Sequence, residues 1–133
     1  MKRRAIAASD APAPEGGYAQ AVLTEGAQRI LHVSGQIPVD RDGSVPVAFG
    51  DQCRLAWRNL AAQLRAAGMG LDDLVKVTTF LSDRAHAAEN GAIRREVLGA
   101  HRPALTVLVA GIFDPAWQVE IEAVAIAPAG NDP

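Results

Sequence analysis

The chain has 133 residues, 49% of them apolar and 21% charged, with a net charge of −2, which suits one domain with a real core. No apolar run approaches the roughly 20 residues of a membrane helix, and the basic residues are dispersed apart from Arg3-Arg4 and Arg94-Arg95, so a membrane span and a basic stripe for nucleic acid are both excluded. Cys53 is the only cysteine, which rules out an intrachain disulfide and a cysteine-rich zinc site; His32, His86 and His101 lack metal-ligand spacing, so no metal is expected.

Met1-Lys2-Arg3-Arg4 leads into a short mixed stretch and not into a long apolar segment, so no signal peptide is expected and the cytoplasm is the expected location. Residues 4–8 and 20–24 read as strands, separated by a Pro/Gly-rich connection over 10–17. Residues 29–34 form a third strand, with Leu31 and Val33 on one face and Ile30, His32 and Ser34 on the other. Asp42-Gly43 marks a turn over 40–44.

Between Gly50 and Gly68, apolar residues at Cys53, Ala56, Trp57, Leu60, Leu64 and Ala67 recur at three- and four-residue steps, which predicts an amphipathic helix. Cys53 and Trp57 are then core residues, not a reactive thiol and a stacking platform, and Gly68 ends the helix in a left-handed conformation. A branched strand follows over 74–81. Ser82 or Asp83 caps a second, Ala-rich helix over 85–98, closed by Gly99. Strands over 104–110 and 118–126 flank a turn at Phe113-Asp114-Pro115-Ala116. A single domain spans 1–126, and 127–133 reads as a flexible tail.

This order predicts an α+β fold with two helices on one face of a single sheet. The other face is expected to carry apolar residues, Leu105 and Val107 or their neighbours. A sheet with two apolar faces and helices for one of them calls for an oligomer.

Four segments carry a resemblance. They are Gly16-Gly17-Tyr18-Ala19-Gln20-Ala21-Val22, Val33-Ser34-Gly35-Gln36-Ile37-Pro38-Val39-Asp40, Leu74-Val75-Lys76-Val77-Thr78-Thr79-Phe80-Leu81 and Val119-Glu120-Ile121-Glu122-Ala123-Val124-Ala125. Together they resemble the RidA/YjgF family of reactive-intermediate deaminases, also called endoribonuclease L-PSP-like, from about residue 8 to 126. The resemblance implies a chorismate-mutase-like fold with one mixed six-stranded sheet. It also implies a homotrimer whose sheets form a central barrel, with small-molecule pockets between subunits. The implied reaction is hydrolysis of enamines and imines to keto acids and ammonia, without metal or organic cofactor.

Carried over by position, the pocket includes Tyr18, Ser34, Gly35, Asn90, Leu105, Thr106 and Glu120. Tyr18 walls it, the groups around Ser34 and Gly35 touch the ligand, and Glu120 holds the attacking water. At Leu105 the resemblance implies an arginine that grips the substrate carboxylate as a bidentate fork. A leucine leaves that charge unpaired, which predicts poor hydrolysis of small 2-imino acids. Arg94, Arg95, Arg102 or a residue of the adjoining subunit are the candidate replacements. Gly17 stands in place of a proline, and Ile93 and Val97 in place of aromatics. The first function expected is therefore a deaminase with altered substrate choice. The second is an inactive trimeric binding protein, and the third an endoribonuclease or translation inhibitor.

Overall fold

The buried stripe of the first helix decides where the core sits. In a computed structural model that describes residues 1–26 and 28–130, helix α1 runs Phe49–Ala66. Cys53, Ala56, Leu60 and Leu64 are fully enclosed on its inner face, with Trp57 beside them. The helix closes as its glycine predicts. Gly68 takes φ +69°, its N–H donates to Arg65 O at 3.0 Å, and Met69 N–H donates to Leu64 O at 2.8 Å. These two bonds satisfy carbonyls that the helix end would leave bare.

The strands are β1 Lys2–Ile6, β2 Ala21–Glu25, β3 Gln28–Gln36, β4 Leu74–Leu81, β5 Ala104–Val109 and β6 Val119–Pro128. The second helix, α2, covers Ala87–Leu98 after a single 3₁₀ turn at Arg84–His86. Asp83 caps that turn by accepting a hydrogen bond from Ala85 N–H at 2.8 Å. Strands β3, β6, β4 and β5 lie side by side in that order; β4 and β5 are parallel and the other pairs antiparallel. Both helices contribute to one core against this mixed sheet, giving an α+β fold.

Three expectations need correction. The six strands do not form one sheet: β1 pairs only with β2, as a separate two-stranded unit. Alternation in sequence predicts that a strand exists, but not which edge it joins. The chain joins the β5 edge only through a single bridge from Ala19 to Ala104, where Ala19 N–H donates to Pro103 O at 2.9 Å.

The face away from the helices lacks the apolar character expected, and of the two alternatives it carries the neighbours of Leu105 and not Leu105 itself. Leu105 stands beside the fully buried Val77 and packs partly buried against the helix-covered core. The uncovered face instead carries Lys76, Thr78 and Phe80 beside Ala104, Thr106 and Leu108 on one side and Val124, Glu122 and Glu120 on the other. This face is mixed rather than greasy. Val107, Leu108 and Val109 leave an apolar strip exposed along β5, with Phe113 beyond it; Leu23, Ile30 and Val47 are exposed elsewhere.

The tail begins later than residue 127. Ala127 and Pro128 are still strand residues, paired with Arg29 and Gln28. Residues 131–133 of the expected tail lie outside the described residues.

Candidate functional site

A break in strand register builds the most distinctive corner. Val33 faces Ala123, but the next pair is Gln36 with Ile121, so β3 carries one extra residue at Ser34-Gly35. Such a bulge bends the strand and re-aims its side chains. Here it brings the Gly35 backbone against Glu120. A Cβ added at Gly35 would sit 2.7 Å from the Glu120 carboxyl carbon and 2.9 Å from its Cγ. Any side chain here would force the Glu120 carboxylate to move.

Glu120 is half-buried and opposite Phe80. It lines a cavity of about 270 Å³ with Phe80, Ala110, Gly111, Ile112 and Phe113. Phe113 is 95% exposed at this rim. A carboxylate in a cleft with apolar walls can hold a water and accept its proton.

The structure thus brings together Gly35 and Glu120 and leaves the other expected site residues apart from them. Ser34 is exposed and lines a neighbouring cavity with His32, Gln36 and Gln63. Thr106 is on the same open face, where its hydroxyl accepts from Lys76 Nζ at 2.6 Å. Asn90 is 2% exposed, and its Oδ1 accepts from the Cys53 thiol at 3.7 Å. Within one subunit it packs as a core residue. The reason is helical spacing: Asn90, Ile93 and Arg94 share the buried side of α2. Burial pushes the Cys53 thiol up to about 12, so it behaves as an inert core group.

Tyr18 is half-buried, on the segment that reaches the start of β5. Beside it is a residue whose placement the sequence left open. Arg94 is 7% exposed, and its Nη2 donates to Gly16 O at 3.0 Å. Burial first, and then the charge of Arg95, hold its pKa below the ordinary arginine value, with Tyr18 acting in the opposite sense. Arg102 lies outside β5, and its Nη1 is 3.1 Å from where a Gly17 Cβ would be. Phe80 and Phe113 were also missed as cavity residues. For Phe113 the available signal was a large aromatic placed in a turn, where polar residues are usual.

The model of the family described as Endoribonuclease L-PSP matches residues 8–127. The chain belongs to the endoribonuclease L-PSP, or RidA, family. A RutC family protein of Pyrococcus horikoshii is 34% identical over 92% of this chain and 97% of its own length. The rat 2-iminobutanoate/2-iminopropanoate deaminase is 32% identical over 93% of this chain and 90% of its own. Among solved structures, the Rid-family protein YyfB of Yersinia pestis superposes with a TM-score of 0.81 at 28% identity, covering 94% of this chain and 98% of that one. Escherichia coli TdcF with bound serine superposes with a TM-score of 0.69 at 29% identity, covering 93% and 98%. As in the sequence reading of this RidA-family chain, no helix among the described residues is long and apolar enough to cross a membrane.

Proposed function

We propose that this protein is a hydrolytic imine or enamine deaminase whose pocket is completed between copies of the chain, and that it disfavours 2-imino acids. The observation that carries the reading is the Glu120 carboxylate seated on the Gly35 bulge at the rim of a cavity. Support also comes from the relatives named as 2-iminobutanoate/2-iminopropanoate deaminases.

In the reaction Glu120 takes a proton from water as the hydroxyl adds to the imine carbon. That proton passes to nitrogen to give an amino alcohol; Glu120 then carries the hydroxyl proton to nitrogen as the C–N bond breaks, and a carbonyl and ammonia leave. The half-open cavity and the apolar β5 edge favour assembly with further copies, and we assign a trimer. Tyr18 and the β5 edge would then face Glu120 from a neighbouring subunit.

Leu105 carries the altered substrate choice. It lies against the core and offers no donor to an acid group, so a carboxylate placed on it would be left unpaired at a cost of several kcal/mol. The test compares the native protein with Leu105→Arg on freshly generated 2-iminobutanoate and on a neutral imine. The native protein should turn over the neutral imine and release little ammonia from 2-iminobutanoate; the variant should gain on the acid. Robust native activity on 2-iminobutanoate overturns the substrate assignment. Binding of imine analogues with no turnover of either compound establishes the second reading, a binding protein that has lost the reaction.

A further inference from the structure

The geometry points to a carboxylate-binding site at the Gly16-Gly17 turn, built by Arg94 with Arg95 and Arg102. Arg94 is the decisive group. It is more than nine-tenths buried, makes one hydrogen bond, to the Gly16 carbonyl, and leaves its Nε without a partner. A carbonyl can orient a guanidinium but does not neutralise it. A buried cation without an anion is costly, and no acidic side chain among the described residues fills the role. The single ion pair among the described residues joins Arg54 to Glu96, with both partners largely exposed.

Two further arginines converge on the same turn. The position of a Gly17 Cβ would be 3.1 Å from Arg102 Nη1 and 3.4 Å from Arg95 Cγ. Gly17 has φ +85° and no side chain, so the Arg102 guanidinium and the Arg95 stem approach the backbone directly, while the Arg95 guanidinium lies beside Gly91. Arg94 and Arg95 come from the helix, Arg102 from the segment before β5, and Gly16-Gly17 from the connection before β2. Sequence spacing alone does not unite them. Tyr18 follows this turn directly in the sequence.

A planar carboxylate suits this arrangement, because a guanidinium binds it through parallel N–H···O bonds. The site concerns binding and stands without turnover, and the acid it holds is distinct from the imine substrate of the proposed reaction. It does not restore an arginine at position 105, since Arg94 is held by Gly16 and not by β5.

The full chain is titrated with propanoate and, separately, with the neutral isostere propanamide, in chloride-free buffer, following thermal stability and the Arg94 Nε–H resonance. Propanoate should raise the melting temperature and move that resonance, while propanamide does neither. Arg94→Met should abolish the response. Because that variant risks the fold, Arg95→Gln and Arg102→Gln provide the second measurement, each weakening propanoate about threefold or more through lost charge. Glu120→Gln should leave propanoate binding unchanged while removing imine turnover, which separates this site from the catalytic reading. Equal responses to propanoate and propanamide, or propanoate affinity unchanged in the Arg95 and Arg102 variants, overturns the proposal.

Discussion

At the Gly35 bulge a carboxylate stands half-open on the mixed face of the sheet, beside Phe80 and the exposed Phe113. At the Gly16-Gly17 turn a guanidinium is enclosed at the side of α2 with one carbonyl for company. Neither group has a partner of opposite charge among the described residues, yet their environments differ. Glu120 keeps access to water, which a proton acceptor needs. Arg94 has lost most of its water, which makes it a poor surface group but a strong holder of an anion. The contrast teaches that one subunit keeps two kinds of chemistry apart. The group suited to activating water and the groups suited to gripping an acid occupy separate regions of the fold.

The comparison can be broken most directly at Glu120. Glu120→Gln keeps the shape and removes the proton acceptor, so kcat/KM on a neutral imine should fall about 10²–10⁴-fold with an unchanged circular dichroism spectrum. Retained activity would falsify the catalytic assignment. Next in size is Gly35→Ala. Its Cβ has to displace Glu120, and activity should drop about 10²-fold, with a stability loss of about 1–3 kcal/mol in urea titration. An active, equally stable Gly35→Ala would show that the bulge does not position the carboxylate.

Leu105→Arg tests the opposite corner. It places a charge against a partly buried core position, and a fall in stability of about 1–3 kcal/mol is expected together with the gain on 2-iminobutanoate. A variant as stable as the native chain would mean that residue 105 is free to leave the core.

The smallest effect concerns Cys53, buried beneath Asn90. Its folded pKa of about 12 is above the ordinary 9.0. The unfolded chain therefore loses this proton first as pH rises. The contribution to stability is complete below the ordinary value and is lost as pH climbs through the folded value. Urea midpoints measured from neutral pH to about 11 should decline less steeply in Cys53→Ala than in the native chain. Identical slopes would place the thiol in contact with water.

Much of the fold was legible because local physics repeats it along the chain. The apolar steps from Cys53 to Leu64 appear as the buried face of α1, and β4 begins and ends at Leu74 and Leu81 as predicted. Gly68 and Asp83 close and open their elements through the backbone bonds that their residue types favour. Ser34-Gly35 and Glu120 were legible as site candidates only through resemblance, since two glutamates alternating on a strand look like any solvated pair.

What failed was long-range. Alternation could not say which face of β5 meets the helices, because a strand's period is two and either choice satisfies it. Leu105 and its neighbours were therefore left as alternatives for the open face, and the inward turn of Asn90 on α2 was not foreseen.

The sequence by itself determined the family, the order of helices and strands, and the residues that cap and terminate them, because each depends on neighbours a few positions away. Only the tertiary structure decided that β1 and β2 stand apart from the main sheet, that a single extra residue in β3 sets Gly35 beneath Glu120, and that Arg94, Arg95 and Arg102 meet at one glycine turn. Those outcomes depend on which distant surfaces come together as the core closes. No local pattern encodes that choice, since the same alternation and the same arginines are compatible with several registers and several partners.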